Sequence, residues 1–294
     1  MKKINVVILG SGNIGIDLLF KVSRSPYLNC LALVGRNDNS NGAEKAASLG
    51  IKYSANSIHF VVDNSDKLDL VFDATSAKDH KNNSVIFKQL RIKAIDLTPA
   101  KIGVMAVPAI NINECISSDN INMITCGGQA SVPIAAAIGR THSDVEYIEV
   151  VSSIASKSAG PATRENLDEY ISTTEAAIKE FSGAKKSKAI LILNHALPCI
   201  NMQTTIFAKV ANPNIDQLRK EISTVVAKIK TYVPGYNLLV EPLYENGRIV
   251  IMVRVHGRGD YLPEYAGNLD IINCAALAMA EEFAKQKGRS TGGK

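Results

Sequence analysis

The run Ile4-Asn5-Val6-Val7-Ile8-Leu9-Gly10-Ser11-Gly12-Asn13-Ile14-Gly15 joins an apolar segment to the pattern G-x-G-x-x-G, and Ile16-Asp17-Leu18-Leu19-Phe20-Lys21-Val22 follows with helical spacing. An apolar run broken only by Asn5 suits a strand buried on both faces of a parallel sheet. In such a corner Gly10 permits the tight turn, Gly12 lets the backbone approach a pyrophosphate, and Gly15 lets the helix pack on the strand. The helix N-terminus then faces the negative charge. Placed between strand and helix, the pattern predicts a dinucleotide site; a plain strand-turn-helix corner is the alternative.

Outward from this corner the chain repeats the same rhythm. Cys30-Leu31-Ala32-Leu33-Val34-Gly35 predicts a second strand, and Arg36-Asn37-Asp38 falls where a ribose-reading residue belongs. Asp38 would grip the ribose hydroxyls of NAD, Arg36 would accommodate the extra phosphate of NADP, and the reading taken is NAD. A short helix is expected from Ala43 to Leu49, a third strand from Leu68 to Ala74, a helix around Asn82 to Gln89, a loop from Val107 to Asn113, and a last strand from Ile121 to Thr125. The segment Asp73 to Ala77 ends a strand and is expected to line the cofactor cleft. Strands alternating with helices imply a doubly wound parallel sheet.

The rhythm changes after Thr125-Cys126-Gly127-Gly128-Gln129-Ala130. A helix is expected over Ser131 to Ile138 with Pro133 in its first turn, strands at Glu146 to Ile154, Ala189 to Leu193 and Thr204 to Val210, and an exposed amphipathic helix from Asn166 to Phe181. Helical spacing from Ile215 to Val233 precedes a hairpin whose turn is Asn246-Gly247. This half reads as an antiparallel sheet backed by helices, and as a dimer surface. The expected division is a dinucleotide-binding domain over 1–130, with a helix over 268–288 packing back on it, and a substrate and dimerisation domain over 131–267. Arg289 to Lys294 are expected to be disordered.

At 294 residues the chain exceeds the usual single domain, and with 46% hydrophobic residues it has enough apolar side chains for two cores. Its 33 basic and 28 acidic residues leave a net charge of +5, spread along the chain without a dense basic stripe, so nucleic acid is not an expected partner. Apolar runs stay well short of the roughly 18 residues that a membrane helix needs. The basic residues before Ile4 precede a run too short for a signal peptide, so a cytoplasmic protein is expected. Cys30, Cys115, Cys126, Cys199 and Cys274 are odd in number and lack close spacing, which argues against a disulfide framework and against a metal site.

Cys126 stands at the end of a strand and the start of a helix. The helix dipole there favours thiolate, nearby backbone amides can hold an oxyanion, and the two glycines leave room for a substrate. With a nicotinamide cofactor this predicts thiolate attack on an aldehyde, hydride transfer, and an acyl thioester. A buried, inert cysteine is the competing reading.

Six stretches taken together, Gly10 to Gly15, Asp73 to Ala77, Asp96-Leu97-Thr98-Pro99-Ala100, Thr125 to Ala130, Ser158-Ala159-Gly160-Pro161 with Thr163-Arg164, and Tyr265 to Asp270, resemble the acylating acetaldehyde dehydrogenases. The resemblance implies a glyceraldehyde-phosphate-dehydrogenase-like fold, NAD as cofactor, coenzyme A as co-substrate, and conversion of acetaldehyde or another short aldehyde to acyl-CoA. It implies that Cys126 carries the acyl group. It also implies that Ser11, Gly12, Asn13 and Ile14, the loop Ser158, Ala159, Gly160, Pro161, Ala162, Thr163, Arg164, Glu165 and Asn166, and Asn268 contact the cofactor. A 4-hydroxy-2-oxovalerate-type aldolase as partner, a homo-oligomer, and a place in aromatic hydrocarbon catabolism are further expectations of the same kind.

The chain departs from the family at Asn201-Met202-Gln203-Thr204-Thr205, where the family reads Ile-Met-Arg-Asp-Thr. Neither Gln203 nor Thr204 acts as a base near neutral pH. His195 is the nearest titratable group in sequence. Ala162 stands where the family has glycine. Two alternatives remain: a semialdehyde dehydrogenase forming an acyl phosphate, and a weakly active, cofactor-binding subunit of an aldolase.

Overall fold

A computed structural model of the chain describes residues 3–291. They divide into two compact units, one running up to Met123 and resuming at Asn273, the other Ile124–Ile272. The first unit holds strands β1 (Ile4–Leu9), β2 (Leu28–Val34), β3 (Tyr53–Ser54), β4 (Leu70–Asp73), β5 (Lys93–Asp96), β6 (Val104–Met105) and β7 (Asn120–Asn122). Its helices are α1 (Asn13–Ser23), α2 (Asn41–Ser48), α3 (Ser57–Asp63), α4 (Ala77–Leu90) and α5 (Pro108–Cys115).

All seven strands pair in parallel in the order β3-β2-β1-β4-β5-β7-β6. The chain runs outward from β1 to β3 and then returns to β4 on the other side of β1. Its direction therefore reverses between β1 and β4, which is where sheets of this kind bind ligands at the carboxyl ends of their strands. Val6, Val7 and Ile8 are wholly inaccessible to solvent, so the unbroken apolar run at the N-terminus is explained by burial on both faces. Val7, Leu9, Val34, Phe60, Val71 and Phe87 pack into one cluster. Burying each such side chain contributes about 1.5–3 kcal/mol.

The second unit contains α6 (Cys126–Thr141), β8 (Val145–Ala155), α7 (Pro161–Glu165), α8 (Leu167–Ser182), β9 (Lys186–Asn194), β10 (Met202–Val210), α9 (Ile215–Lys230), β11 (Tyr236–Glu245) and β12 (Arg248–Val255). The last helix, α10 (Gly267–Thr291), begins there and belongs to the first unit from Asn273 onward. Asn273 Nδ2 donates to Ile14 O at 3.1 Å and to Asp17 Oδ2 at 2.7 Å. Asp17 is in turn paired with the equally buried Lys21 at 2.7 Å. This ties α10 to α1 inside the first unit.

Several expectations are corrected. The sheet of the second unit, ordered β11-β12-β10-β8-β9, is mixed: β8 and β9 run parallel, because α7 and α8 carry the chain across between them. The stretch read as a loop at Val107 to Asn113 is helical from Pro108, with a kink at Asn111, whose side chain accepts from Val107 N and donates to Met105 O. Helix α6 starts at Cys126 itself, so Pro133 lies inside it instead of in its first turn. Helix α8 is amphipathic, but Tyr170, Thr173, Thr174, Ala177 and Ile178 form a buried face. Arg289 to Thr291 continue α10; the remainder of the expected disordered tail, residues 292–294, lies outside the described residues. Among the described residues no helix is long and apolar enough to cross a membrane, and no cluster of potential metal ligands occurs.

Candidate active site

The glycine corner is built as its spacing requires. Gly10 has φ +114°, and a Cβ there would meet Ala74 O at 2.4 Å. A Cβ on Gly15 would lie 1.8 Å from Gly10 O, so helix and strand close on each other only without a side chain at that position. Gly12 is different: the space where its Cβ would stand is open. Gly12 also begins α1 with no side-chain cap and no acidic residue in the first turn. An open glycine at an uncapped helix N-terminus fits a pyrophosphate. Ser11 is wedged beneath, since Cβ atoms on Gly35 and Gly42 would meet its Oγ at 2.4 Å and its Cβ at 2.7 Å. Asn13 and Ile14 complete the first turn of α1. Arg36, Asn37 and Asp38 are exposed just past the end of β2, and Tyr53 Oη donates to Asn37 O at 2.7 Å.

Beneath the loops that follow β4 and β5 lies a buried polar cluster that sequence reading did not find. His80 Nδ1 donates to Asp73 Oδ2 at 2.9 Å, and its Nε2 lies 3.4 Å from Asp96 Oδ2. Asp96 also accepts from Thr98 N and Asn122 Nδ2, both at 2.7 Å. Asp73, His80 and Asp96 are completely buried. Burial pushes the Asp96 carboxyl up to about 7, against the opposing pull of His80. Burial works against the charged form of His80, but the hydrogen bond to Asp73 and the charges of Asp96 and Asp73 outweigh it and raise its pKa. The cluster holds Asp73 to Ala77 and Asp96 to Thr98 in fixed positions at the carboxyl edge of the sheet.

In the second unit, Thr125 caps α6 by accepting from Gly128 N at 2.8 Å. Cys126 is the first residue of that 16-residue helix and is half-buried. Its S–H donates to Tyr170 Oη at 3.8 Å. Burial pushes the Cys126 thiol up to about 11; the hydrogen bond to Tyr170 and the N–H groups of Gly127 and Cys126 pull the other way. Thr204, at the family's carboxylate position, is buried and lies 3.0 Å from Ser152 through their hydroxyls. Ser152 Oγ is 3.1 Å from where a Cβ of Gly127 would stand. The hydrogen bond of His195 Nε2 goes to Ser156 Oγ at 3.0 Å, and Ser156 Oγ also accepts from Arg164 at 2.8 Å.

The segment expected to hold cofactor starts with a short 3-10 helix ending at Ser158, passes Ala159 and Gly160, and forms α7. Ser158 donates to Ala155 O, and Arg164 donates to Ser156 O and Ala159 O, which folds the segment back on itself. Pro161, Ala162, Thr163 and Glu165 lie within α7. Asn166 is buried and accepts at its carbonyl from Tyr170 N at 2.9 Å, so this segment runs directly into the helix that faces Cys126. Asn268 is buried, and its Oδ1 has no partner among the described residues. Tyr170 and Ser152 were missed in the sequence. Only the hydrophobic face of α8 signals that Tyr170 points inward.

The parallel sheet of the first unit and the helix-backed mixed sheet of the second define the class of fold, one that is glyceraldehyde-phosphate-dehydrogenase-like. The crystal structure of aspartate semialdehyde dehydrogenase with NADP from Candida albicans matches with a TM-score of 0.65 over 96% of this chain and 100% of that one; at 11% identity the likeness is one of fold. In sequence, the acetaldehyde dehydrogenase of Spirochaeta aurantia is 61% identical over 97% of this chain and 96% of its own length. That of Pectobacterium atrosepticum is 54% identical over 95% of each, and that of Bacillus cereus 45% over 97% and 95%. The family model described as prokaryotic acetaldehyde dehydrogenase, dimerisation, matches residues 126–263. The chain belongs to the acetaldehyde dehydrogenase family, and is an oxidoreductase enzyme.

Proposed function

We propose that the chain converts acetaldehyde, or another short aldehyde, to acyl-CoA with coenzyme A and NAD, with Cys126 as nucleophile. The observation that carries this reading is the setting of Cys126: the first residue of a long helix, half-buried, with backbone N–H groups acting on its sulfur. In that setting the helix N-terminus and the amides favour the thiolate and the oxyanion formed when sulfur attacks the aldehyde carbon. Burial keeps the resting thiol protonated, so its proton must leave before attack. The nicotinamide ring, when bound, supplies a hydride acceptor. Loss of hydride from the thiohemiacetal leaves an acyl thioester on Cys126, and the CoA thiol takes the acyl group, so that aldehyde, CoA-SH and NAD⁺ become acyl-CoA, NADH and a proton.

Gly10 to Gly15 would hold the pyrophosphate, and the segment Ser158 to Asn166 together with Asn268 would hold the nicotinamide end. The Oδ1 of buried Asn268, which has no partner among the described residues, fits an acceptor for a carboxamide N–H. NADP is the alternative cofactor through Arg36. The described dimerisation match and the outer face of the second sheet, where Ile190, Ile192 and Leu239 are exposed, support a homo-oligomer. A 4-hydroxy-2-oxovalerate-type aldolase as source of the aldehyde, and cytoplasmic action in aromatic hydrocarbon breakdown, complete the reading.

NADH formation from acetaldehyde should require CoA and fall by about 10⁴-fold or more in Cys126→Ala. Turnover that survives in Cys126→Ala, or that needs phosphate in place of CoA, would overturn the assignment; the second outcome would favour the acyl-phosphate alternative.

A further inference from the structure

Thr204, at the position where the resemblance places a carboxylate, is engaged with Ser152, and the side chain hydrogen-bonded to the Cys126 sulfur is that of Tyr170. We propose that Tyr170 is the positioning residue of this thiol: its phenol aims the sulfur in the resting enzyme and donates its O–H to the thiolate once the thiol proton has gone to water. The inference rests on the reading of Cys126 as nucleophile.

Three observations carry it. Cys126 Sγ and Tyr170 Oη are 3.8 Å apart, within hydrogen-bond reach for sulfur. Gly127 makes room for the phenol, because a Cβ there would lie 2.0 Å from Tyr170 Oη and 3.1 Å from Tyr170 Cζ. The glycine after the thiol thus admits a hydroxyl into the first turn of α6. Finally, the two helices are aligned at a second point. Thr174, four residues after Tyr170 and therefore on the same face of α8, lies 2.7 Å from Thr125 through their hydroxyls. Thr125 is the cap of α6. The cap of α6, Thr125, and its first residue, Cys126, thus meet consecutive turns of α8, which fixes the phenol relative to the sulfur.

The phenol acts as a donor and not as a base. Burial, followed by the neighbouring thiol, holds Tyr170 well above the ordinary range for a phenol, while the Gly127 N–H and the Thr125 hydroxyl act in the opposite direction. It keeps its proton at neutral pH. The groups acting on Cys126 are Tyr170 and the N–H groups of Gly127 and Cys126. Ser152, which lies against Gly127 from β8, and Thr204 of β10, which is bonded to Ser152, carry no charge near neutral pH. A neutral donor therefore stabilises the thiolate where, among the described residues, no charged group acts on it.

The test is the pH dependence of Cys126 alkylation by iodoacetamide in the full-length protein, read by mass spectrometry of the Cys126 peptide. Tyr170→Phe keeps the ring and removes the donor. It should move the midpoint to higher pH and slow alkylation roughly three- to tenfold at each pH below it. Ser182→Ala removes a buried hydroxyl farther along the same helix, one that donates to Ile178 O, and should leave the profile in place, which separates loss of the donor from general loosening. An unchanged profile in a folded Tyr170→Phe protein, or an equal shift in Ser182→Ala, overturns the proposal. Trapping with acetyl-CoA tests the underlying reading separately. An acyl adduct on Cys126 with an unshifted profile sinks only the role of Tyr170, whereas a shifted profile without any adduct sinks the acyl-carrier reading and leaves the phenol-sulfur coupling standing.

Discussion

Tyr170 Oη lies 3.8 Å from Cys126 Sγ, and its place on the first turn of α6 is kept open by the missing side chain of Gly127. Gly127→Ala should therefore displace the phenol, destabilise the protein by about 1–3 kcal/mol and lower turnover. Part of the clash is with the hydroxyl itself, so the same substitution should cost less in a Tyr170→Phe background. Denaturant unfolding of the four proteins of that cycle measures the difference. Equal losses in both backgrounds would assign the clash to Ser152 or to the ring.

The buried cluster of the first unit predicts how stability depends on pH. Asp96 is pushed up to about 7 by burial, far above its unfolded value. The folded state therefore binds more protons than the unfolded state between those two values. The stabilising contribution of this carboxyl is complete in acid and is lost as pH rises through about 7. The raised pKa of His80 acts in the same direction, its contribution being lost above the ordinary imidazole range. The thermal midpoint should accordingly fall as the pH is raised from about 5 to about 8, and Asp96→Asn should flatten that slope. A wild-type midpoint that rises over the same range would contradict the raised pKa.

The glycines of the first loop should separate folding from cofactor binding. Gly15→Ala places a methyl 1.8 Å from the backbone oxygen of Gly10, a clash that no side-chain rotation relieves, and should cost about 3 kcal/mol or more. Gly12→Ala meets open space and should change stability by less than about 0.5 kcal/mol. It narrows the approach to the helix N-terminus, however, and should weaken NAD binding roughly tenfold, about 1.4 kcal/mol. Titration of NADH fluorescence beside thermal unfolding reads both effects. A Gly12→Ala protein that binds NADH as tightly as wild type would remove the loop from the cofactor site.

Much of this arrangement is legible in one dimension because its causes are local. The N-terminal run reads as a strand because burial on both faces demands continuous apolar side chains, and the glycine spacing reads as a tight corner because only glycine tolerates the contacts there. The hairpin turn is equally local: Asn246 and Gly247 both have positive φ, at 50° and 76°, which is what that residue pair supplies. The two-residue strands β3 and β6 leave no periodicity to detect. Helix α5 escapes notice because its asparagines resemble a loop until Asn111 turns back to bond the backbone before it.

The sequence by itself placed Cys126 between a strand and a helix and before two glycines, since those are properties of neighbouring residues; the strand expected to reach Thr125 ends at Asn122, and the helix expected from Ser131 begins at Cys126 itself. Which group meets the sulfur was decided only by tertiary structure. Tyr170 lies 44 positions away, and nothing along the chain specifies how the turns of α8 fall against those of α6. That register is set by side-chain packing between the helices and by the hydroxyl contact of Thr125 with Thr174. The same holds for Asp73, His80 and Asp96, polar residues on separate elements that become one buried network only when the parallel strands align β4 beside β5.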